Sequence, residues 1–193
     1  MRSPLALLLL VPVVTALSAC SRAESKENAV PAAAKGPAMS PKISASGYDV
    51  TPLSPERVVE LAVKLTPEEY RITQKAGTEP AFCGNLLDNH KEGIYVCVVC
   101  GLPLFSSAHK FNSGTGWPSF YREFDPQHVH RQKDITFGMV RVEIDCARCG
   151  AHLGHVFDDG PVPTRERHCL NSASLKFYEK GEALPAESQP AKR

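Results

Sequence analysis

Two Cys-x-x-Cys-Gly knuckles constrain this chain more than any other feature: Cys97-Val98-Val99-Cys100-Gly101 and Cys146-Ala147-Arg148-Cys149-Gly150. A two-residue spacer lets both sulfurs of a knuckle face one ion, and the following glycine relieves the tight turn. A matched pair of such knuckles therefore reads as a tetrahedral four-thiolate zinc site. The closed shell leaves no position for a substrate, which makes the metal structural. The competing reading is two redox-active or disulfide pairs, the usual role of one Cys-x-x-Cys in an oxidising compartment. Two matched knuckles at the edges of β-prone segments favour zinc. Any fold must then bring residues 97–100 against residues 146–149, and the stretch between them is longer than a plain ribbon needs.

The N-terminus sets the compartment. Residues 1–19 hold Arg2, an apolar run over residues 5–14 and the small-residue ending Leu17-Ser18-Ala19 before Cys20. This is a secretory signal, too short to be a permanent membrane span. Leu-Ser-Ala-Cys resembles the processing box of bacterial lipoproteins, which implies cleavage before Cys20 and acylation of that residue; in an ordinary signal Cys20 would be incidental. Several acyl chains would anchor the chain stably, at roughly 0.8 kcal/mol per buried methylene. Ser21 after the acylated position favours, by the same resemblance, the outer membrane facing the periplasm. Residues 20–53, rich in Ala, Ser, Pro and Lys, read as a lipidated, disordered tether. Removing the signal removes Arg2 and balances basic against acidic residues, with no basic stripe. Nucleic acid is thereby excluded as a partner.

A folded domain is expected over residues 54–181, followed by a flexible tail at 182–193. Ser54-Pro55 is an N-cap with a first-turn proline, and Val58, Val59, Ala62 and Val63 recur at helical spacing. Thr66-Pro67-Glu68-Glu69 has the capping-box offset, and Gly77 is placed to stop that second helix. Beyond them, residues 94–99 are β-prone. Residues 135–144 alternate, with Val140, Val142 and Ile144 on one face and Met139, Arg141 and Glu143 on the other. Residues 152–157 and 170–177 are further strand candidates. The pattern predicts a mainly β fold of two antiparallel sheets with short N-terminal helices and a structural zinc clamp.

Outside the clamp and Cys20, two cysteines remain, Cys83 and Cys169. They could form a structural disulfide, or act as a nucleophile and its resolving partner. Arg167 and Asn171 lie two residues either side of Cys169, so on a strand they share its face. That sets a permanent cation and an amide beside the sulfur, favouring thiolate. His152 and His155 could supply a proton near neutral pH, with Asp159 orienting one of them. Each histidine could equally be structural, and Trp117, between glycine and proline, could be core packing or the lining of an apolar pocket for a methyl group.

Gly116-Trp117-Pro118-Ser119-Phe120, Gly150-Ala151-His152-Leu153-Gly154-His155-Val156-Phe157 and Arg167-His168-Cys169-Leu170-Asn171-Ser172-Ala173-Ser174 resemble the signatures of the B-type methionine sulfoxide reductases. The match runs over residues 65–180 and includes both knuckles. The resemblance implies reduction of the R epimer of methionine sulfoxide, free or in oxidised proteins. It implies that Cys169 attacks the sulfoxide sulfur and becomes a sulfenic acid, which a thiol can reverse. It further implies that His152, His155 and Asp159 assist protonation of the oxygen, that Trp117 contacts the substrate methyl, and that Arg167 and Asn171 neighbour the nucleophile. Two departures stand out. Many members carry a resolving cysteine in the Ser-Gly-x-Gly-Trp turn, where this chain has Thr115; Cys83 is the thiol left for that role, with recycling by a thioredoxin-like donor, unless an external thiol reduces Cys169 directly. His168 stands where the family usually has Tyr or Phe. A lipid-tethered zinc-binding interaction module without redox activity is the alternative class, and a general disulfide oxidoreductase a third; neither needs the set around Cys169.

Overall fold

A computed structural model describes residues 40–191. The expected signal, Cys20 and the expected tether up to residue 39 lie outside the described residues. Two short helices open the domain where their capping residues place them. Ser54 Oγ accepts from Arg57 N–H at 3.3 Å and starts α1 (Pro55–Ala62). Thr66 and Glu69 form a reciprocal capping box that starts α2 (Pro67–Lys75), with bonds of 3.3 and 2.7 Å. The left-handed residue that ends α2 is Ala76 (φ 49°), one position before the expected glycine; Gly77 N–H then closes onto the Arg71 and Ile72 carbonyls.

Among the described residues nine strands follow: β1 (Gly93–Cys97), β2 (Pro103–Ser106), β3 (Lys110–Phe111), β4 (Ser119–Phe120), β5 (Val129–Asp134), β6 (Arg141–Cys146), β7 (His152–Phe157), β8 (Arg167–Leu170) and β9 (Leu175–Glu179). They form a three-stranded sheet, β2-β1-β9, and a six-stranded sheet, β3-β4-β8-β7-β6-β5, antiparallel throughout. This is the mainly β, two-sheet architecture expected. The fully buried rings of Tyr95, Phe105 and Phe120 join the sheets, with Phe120 centred 5.0 Å from Tyr95 and 4.8 Å from Phe105. Each such side chain contributes roughly 1.5–3 kcal/mol by leaving water. Helix α2 buries Ile72 and packs on β7 and on the turn Ser172–Ser174.

Three expectations change. Residues 135–144 are not one strand. Asp134 accepts from Thr136 N–H and hydroxyl (2.8 and 2.6 Å), which bends the chain into the turn Thr136–Gly138, so β6 begins only at Arg141. Of the alternating apolar residues, Ile144 is buried while Val140 is 75% exposed. Residues 170–177 also break: Ser174 Oγ donates to the Asn171 carbonyl at 2.7 Å, and the polar turn carries the chain from the large sheet to the small one. Third, the domain reaches past residues 54 and 181 at both ends. Tyr48 and Val50 join the core, Ser188 is fully buried and donates to the Gly101 carbonyl, and Ala191 N–H bonds the Gly47 carbonyl at 2.8 Å. Too few apolar residues lie in either segment to show a period.

The clamp closes the two sheets on each other. Cys97 ends β1 and Cys146 ends β6, and each knuckle turns so that its glycine N–H bonds the first cysteine's carbonyl (2.9 and 2.8 Å). All four thiols are free, buried and within 4.8 Å of one another. The Cys97–Cys149 and Cys100–Cys146 sulfurs are 3.6 and 3.5 Å apart. A zinc ion with bonds of about 2.3 Å needs tetrahedral edges of ~3.8 Å, so the sulfurs fit it. Disulfides, at about 2.0 Å, are not formed here. Structural zinc supplies roughly 10–16 kcal/mol of apparent binding free energy. Cys146→Ser is therefore expected to lose its zinc and to melt about 10 °C or more below the parent, at roughly 2–4 °C per kcal/mol for a chain of this size. Metal analysis and calorimetry on the same samples check this; zinc loss with an unchanged melting temperature would remove the clamp's structural role.

Candidate active site

Cys169 stands on β8 between two neighbours, paired with Ser119 on β4 and His155 on β7. Its sulfur is partly exposed and lines a cleft of about 110 Å³ with Trp117, His155, Phe157 and Arg141. Arg167, two residues earlier, shares its face as the strand period requires. Burial pushes the Cys169 thiol up, while Arg167 and the Thr115 hydroxyl, 4.0 Å from the sulfur, pull it back. Burial wins, so the free thiol sits above its ordinary value.

The arginine is itself fixed. Its Nε and Nη2 donate to the Asp159 carboxylate at 2.8 and 2.9 Å, and its guanidinium lies 4.3 Å from the centre of the Phe157 ring. Asp159 thus orients Arg167 and not a histidine, because the fork of a guanidinium matches a carboxylate bidentately. Asn171 does reach the cleft, although the strand ends before it. Its amide donates to the Leu153 carbonyl (3.1 Å) and accepts from Glu79 N–H (3.0 Å).

The two histidines take different places. His155 lines the cleft, and its Nε2 donates to Asp134 Oδ2 at 2.8 Å. A carboxylate only accepts, so Nε2 carries the proton and Nδ1 is left to take or give one. Burial lowers the His155 pKa, and Asp134 offsets this only in part. Asp134 also accepts from Arg141, which lines the same cleft. His152 lies one step back: it is buried, its Nδ1 donates to Glu143 Oε1 at 2.5 Å, and its ring sits edge-on 5.6 Å from that of His155. Trp117 has its indole N–H on the Glu79 carbonyl at 3.1 Å. Cys83 is an exposed thiol on a neighbouring loop, not bonded to Cys169.

His168 faces away from Cys169. It is fully buried, with Nε2 3.0 Å from Glu123 and Nδ1 donating to the Phe120 carbonyl at 3.2 Å. Burial would raise the Glu123 carboxyl, but His168 and Arg131 outweigh it and hold it at about 2. Sequence reasoning missed Asp134, Arg141, Glu143 and Glu79. Arg141 and Glu143 sit on the polar phase of an alternating run, which looks like a solvated face. Glu79 lies in a loop with no periodicity.

A family model described as the SelR domain matches residues 65–179. The chain is similar to the peptide methionine sulfoxide reductase MsrB of Xylella fastidiosa (strain 9a5c), 54% identical over 138 residues that cover 72% of this chain and 89% of that protein. It is 51% identical over 143 residues to the protein of that name from Caulobacter vibrioides (strain NA1000 / CB15N), covering 74% and 90% of the two chains. A further relative of that name, from Leptospira interrogans (serogroup Icterohaemorrhagiae, serovar Lai, strain 56601), is 58% identical over 114 residues, 59% of this chain and 87% of its own.

The electrostatics of the sulfur are open to test in a Cys83→Ser background. Alkylation of Cys169 is expected to rise with pH through a midpoint above the ordinary thiol value of about 8.5. Arg167→Gln should move that midpoint further up, since the cation favours thiolate. A downward move, read by mass spectrometry of the alkylated peptide, would contradict the assignment.

Proposed function

The chain belongs to the SelR-domain family, the B-type methionine sulfoxide reductases, and from that premise we propose that it reduces the R epimer of methionine sulfoxide by a Cys169 sulfenic acid route. The observation that carries this reading is the placement of Cys169: a free thiol in a small cleft, with Arg167 beside it and Trp117 and His155 on the walls. In this reading Trp117 holds the substrate methyl. The Cys169 thiolate attacks the sulfoxide sulfur and the oxygen takes a proton; the substrate S–O bond then breaks as that oxygen passes to the Cys169 sulfur, leaving methionine and a Cys169 sulfenic acid. His155, with Nδ1 free, is placed to handle that proton, while His152 keeps the ring in position and Asp159 keeps Arg167 aimed. Asn171 fixes the end of the nucleophile's strand.

The oxidised sulfur must then be returned to thiol. Cys83 is the resolving partner in this reading: its thiol displaces the sulfenic hydroxyl as water, and a thioredoxin-like donor reduces the disulfide. Its support is that Phe82 N–H is bonded to Gly116, the neighbour of the Thr115 that touches Cys169. Oxidised proteins or peptides are the substrates, and the acylated Cys20 holds the enzyme at the outer membrane, facing the periplasm. Among the described residues no helix is long and apolar enough to cross a membrane. The alternative, a zinc-binding interaction module, gives no reason for a partly exposed thiol flanked by a fixed guanidinium.

Epimer-resolved assays on the chain lacking its signal test the proposal. Cys169→Ser should abolish reduction of R-sulfoxide with any reductant, and turnover surviving that change would remove the nucleophile assignment. Cys83→Ser should keep the first, single-turnover release of methionine but lose recycling by a thioredoxin-like donor. Steady-state rates unaltered with that donor would point to direct reduction of Cys169.

A further inference from the structure

The loop carrying Cys83 is pinned on both sides of that residue to the elements that frame Cys169. On the near side Phe82 N–H donates to the Gly116 carbonyl at 2.8 Å. Gly116, at φ 90°, has no room for a side chain: a Cβ there would stand 2.9 Å from both the Phe82 ring and the Ala81 methyl. On the far side Gly84 is pressed as closely, since its Cβ would stand 2.1 Å from Ser172 Oγ and 2.6 Å from Glu79 Oε1. Downstream, the Lys110 ammonium donates to the carbonyls of Leu86, Leu87 and Asn89 at 2.7–2.9 Å.

One residue joins these contacts. Glu79 is buried, and each polar group it carries meets an element of the cleft. Its carboxylate accepts from Ser172 N–H (2.6 Å) and Ala173 N–H (3.2 Å), just past the nucleophile's strand. Its main-chain N–H donates to Asn171 Oδ1, and its carbonyl accepts the Trp117 indole N–H. Burying a carboxylate is costly unless it is hydrogen-bonded, and here the bonds tie a loop to a site.

We propose that Glu79 is the positioning residue of the resolving step. Its carboxylate ties the start of residues 79–84 to the Ser172 and Ala173 N–H groups, and Gly84 packs closely on Ser172 and that carboxylate at the far end, so that Cys83 turns inward on a short arc held at both ends. The inference rests on the reading of Cys83 as resolver. In the step itself the Cys83 sulfur attacks the sulfenic sulfur of Cys169, the S–S bond forms and the S–O bond breaks. The hydroxyl leaves as water with the Cys83 proton, and the two sulfurs end as a disulfide. That bond needs the two Cα atoms within roughly 7 Å, and a short anchored arc keeps the thiol at high effective concentration near its target.

Rapid-quench reactions with methionine sulfoxide and no external reductant, on the chain lacking its signal, separate the two steps. Methionine release reports the attack by Cys169; loss of Cys83 thiol and trapping of sulfenic acid by dimedone report resolution. In Glu79→Ala, disulfide formation should slow about tenfold or more relative to methionine release, with sulfenic acid accumulating. Glu79→Gln, which keeps one acceptor oxygen, should fall between, and Gly84→Ala should reproduce the effect from the other side of the loop. Trp117 is the chain's single tryptophan, so an unmoved emission maximum in Glu79→Gln confirms that the cleft is intact. Equal slowing of both steps, or no slowing, overturns the inference alone. A parent chain that forms no Cys83–Cys169 disulfide overturns the resolving assignment, and this inference with it.

Discussion

Four sulfurs meeting at one point hold this fold in register. The aromatic core joins the two sheets by contact, which is non-directional and tolerates sliding. The knuckles add a fixed point: Cys97 at the end of β1 and Cys146 at the end of β6 are brought to one centre. Arg148, inside the second knuckle, extends that point outward through bonds to the carbonyls of Asp49, Cys100 and Glu187. A single position thus fixes both sheets and both ends of the described domain. The zinc makes no chemistry; it makes the geometry in which chemistry is possible.

With the frame fixed, the cleft is built by carboxylates that hold its side chains and backbone in place. Asp159 holds Arg167, Asp134 holds His155 and Arg141, Glu143 holds His152, and Glu79 holds the backbone after Asn171. Each side chain that could carry or donate charge is held by an acceptor that cannot donate back, which fixes its orientation before substrate arrives. Strand β8 sorts the rest. Its odd-numbered positions face the cleft, and His168 turns into the core among Glu123, Arg131 and the Phe105 ring. The imidazole at 168 therefore belongs to the packing of the sheet and not to the set around the sulfur.

Much of this was legible in residues whose chemistry is local. The knuckles announced themselves by spacing, the helix starts by Ser54 and the Thr66–Glu69 box, while the role proposed for Cys169 rested on the family resemblance as well as on its neighbours. What was illegible depends on contacts distant in sequence. Alternation over residues 135–144 suggested one strand, but Asp134 captures Thr136 and bends the chain, so a side-chain hydrogen bond overrides a period. Asp159 looked like a histidine's partner because it follows the histidines; a strand pairing brings Arg167 to it instead. Glu79 had no pattern to betray it, since the partners of its carboxylate lie some ninety positions away. The packed segments on either side of the expected domain were hidden for the opposite reason, being too short to show any periodicity.

The last feature concerns where the chain enters and leaves. Gly47 and Ala191 are hydrogen-bonded beside the metal knuckles, while β6 runs from Arg141 in the cleft to Cys146 in the clamp. Five residue steps of strand, at about 3.4 Å each, put ~17 Å along β6 between the cleft at Arg141 and the clamp at Cys146. A partner domain or a surface joined at residue 47 or 191 would therefore attach on the clamp side of the described domain, with the mouth of the cleft left open. The first and last segments of the described domain, already joined by that hydrogen bond, also make circular permutation between residues 47 and 191 natural.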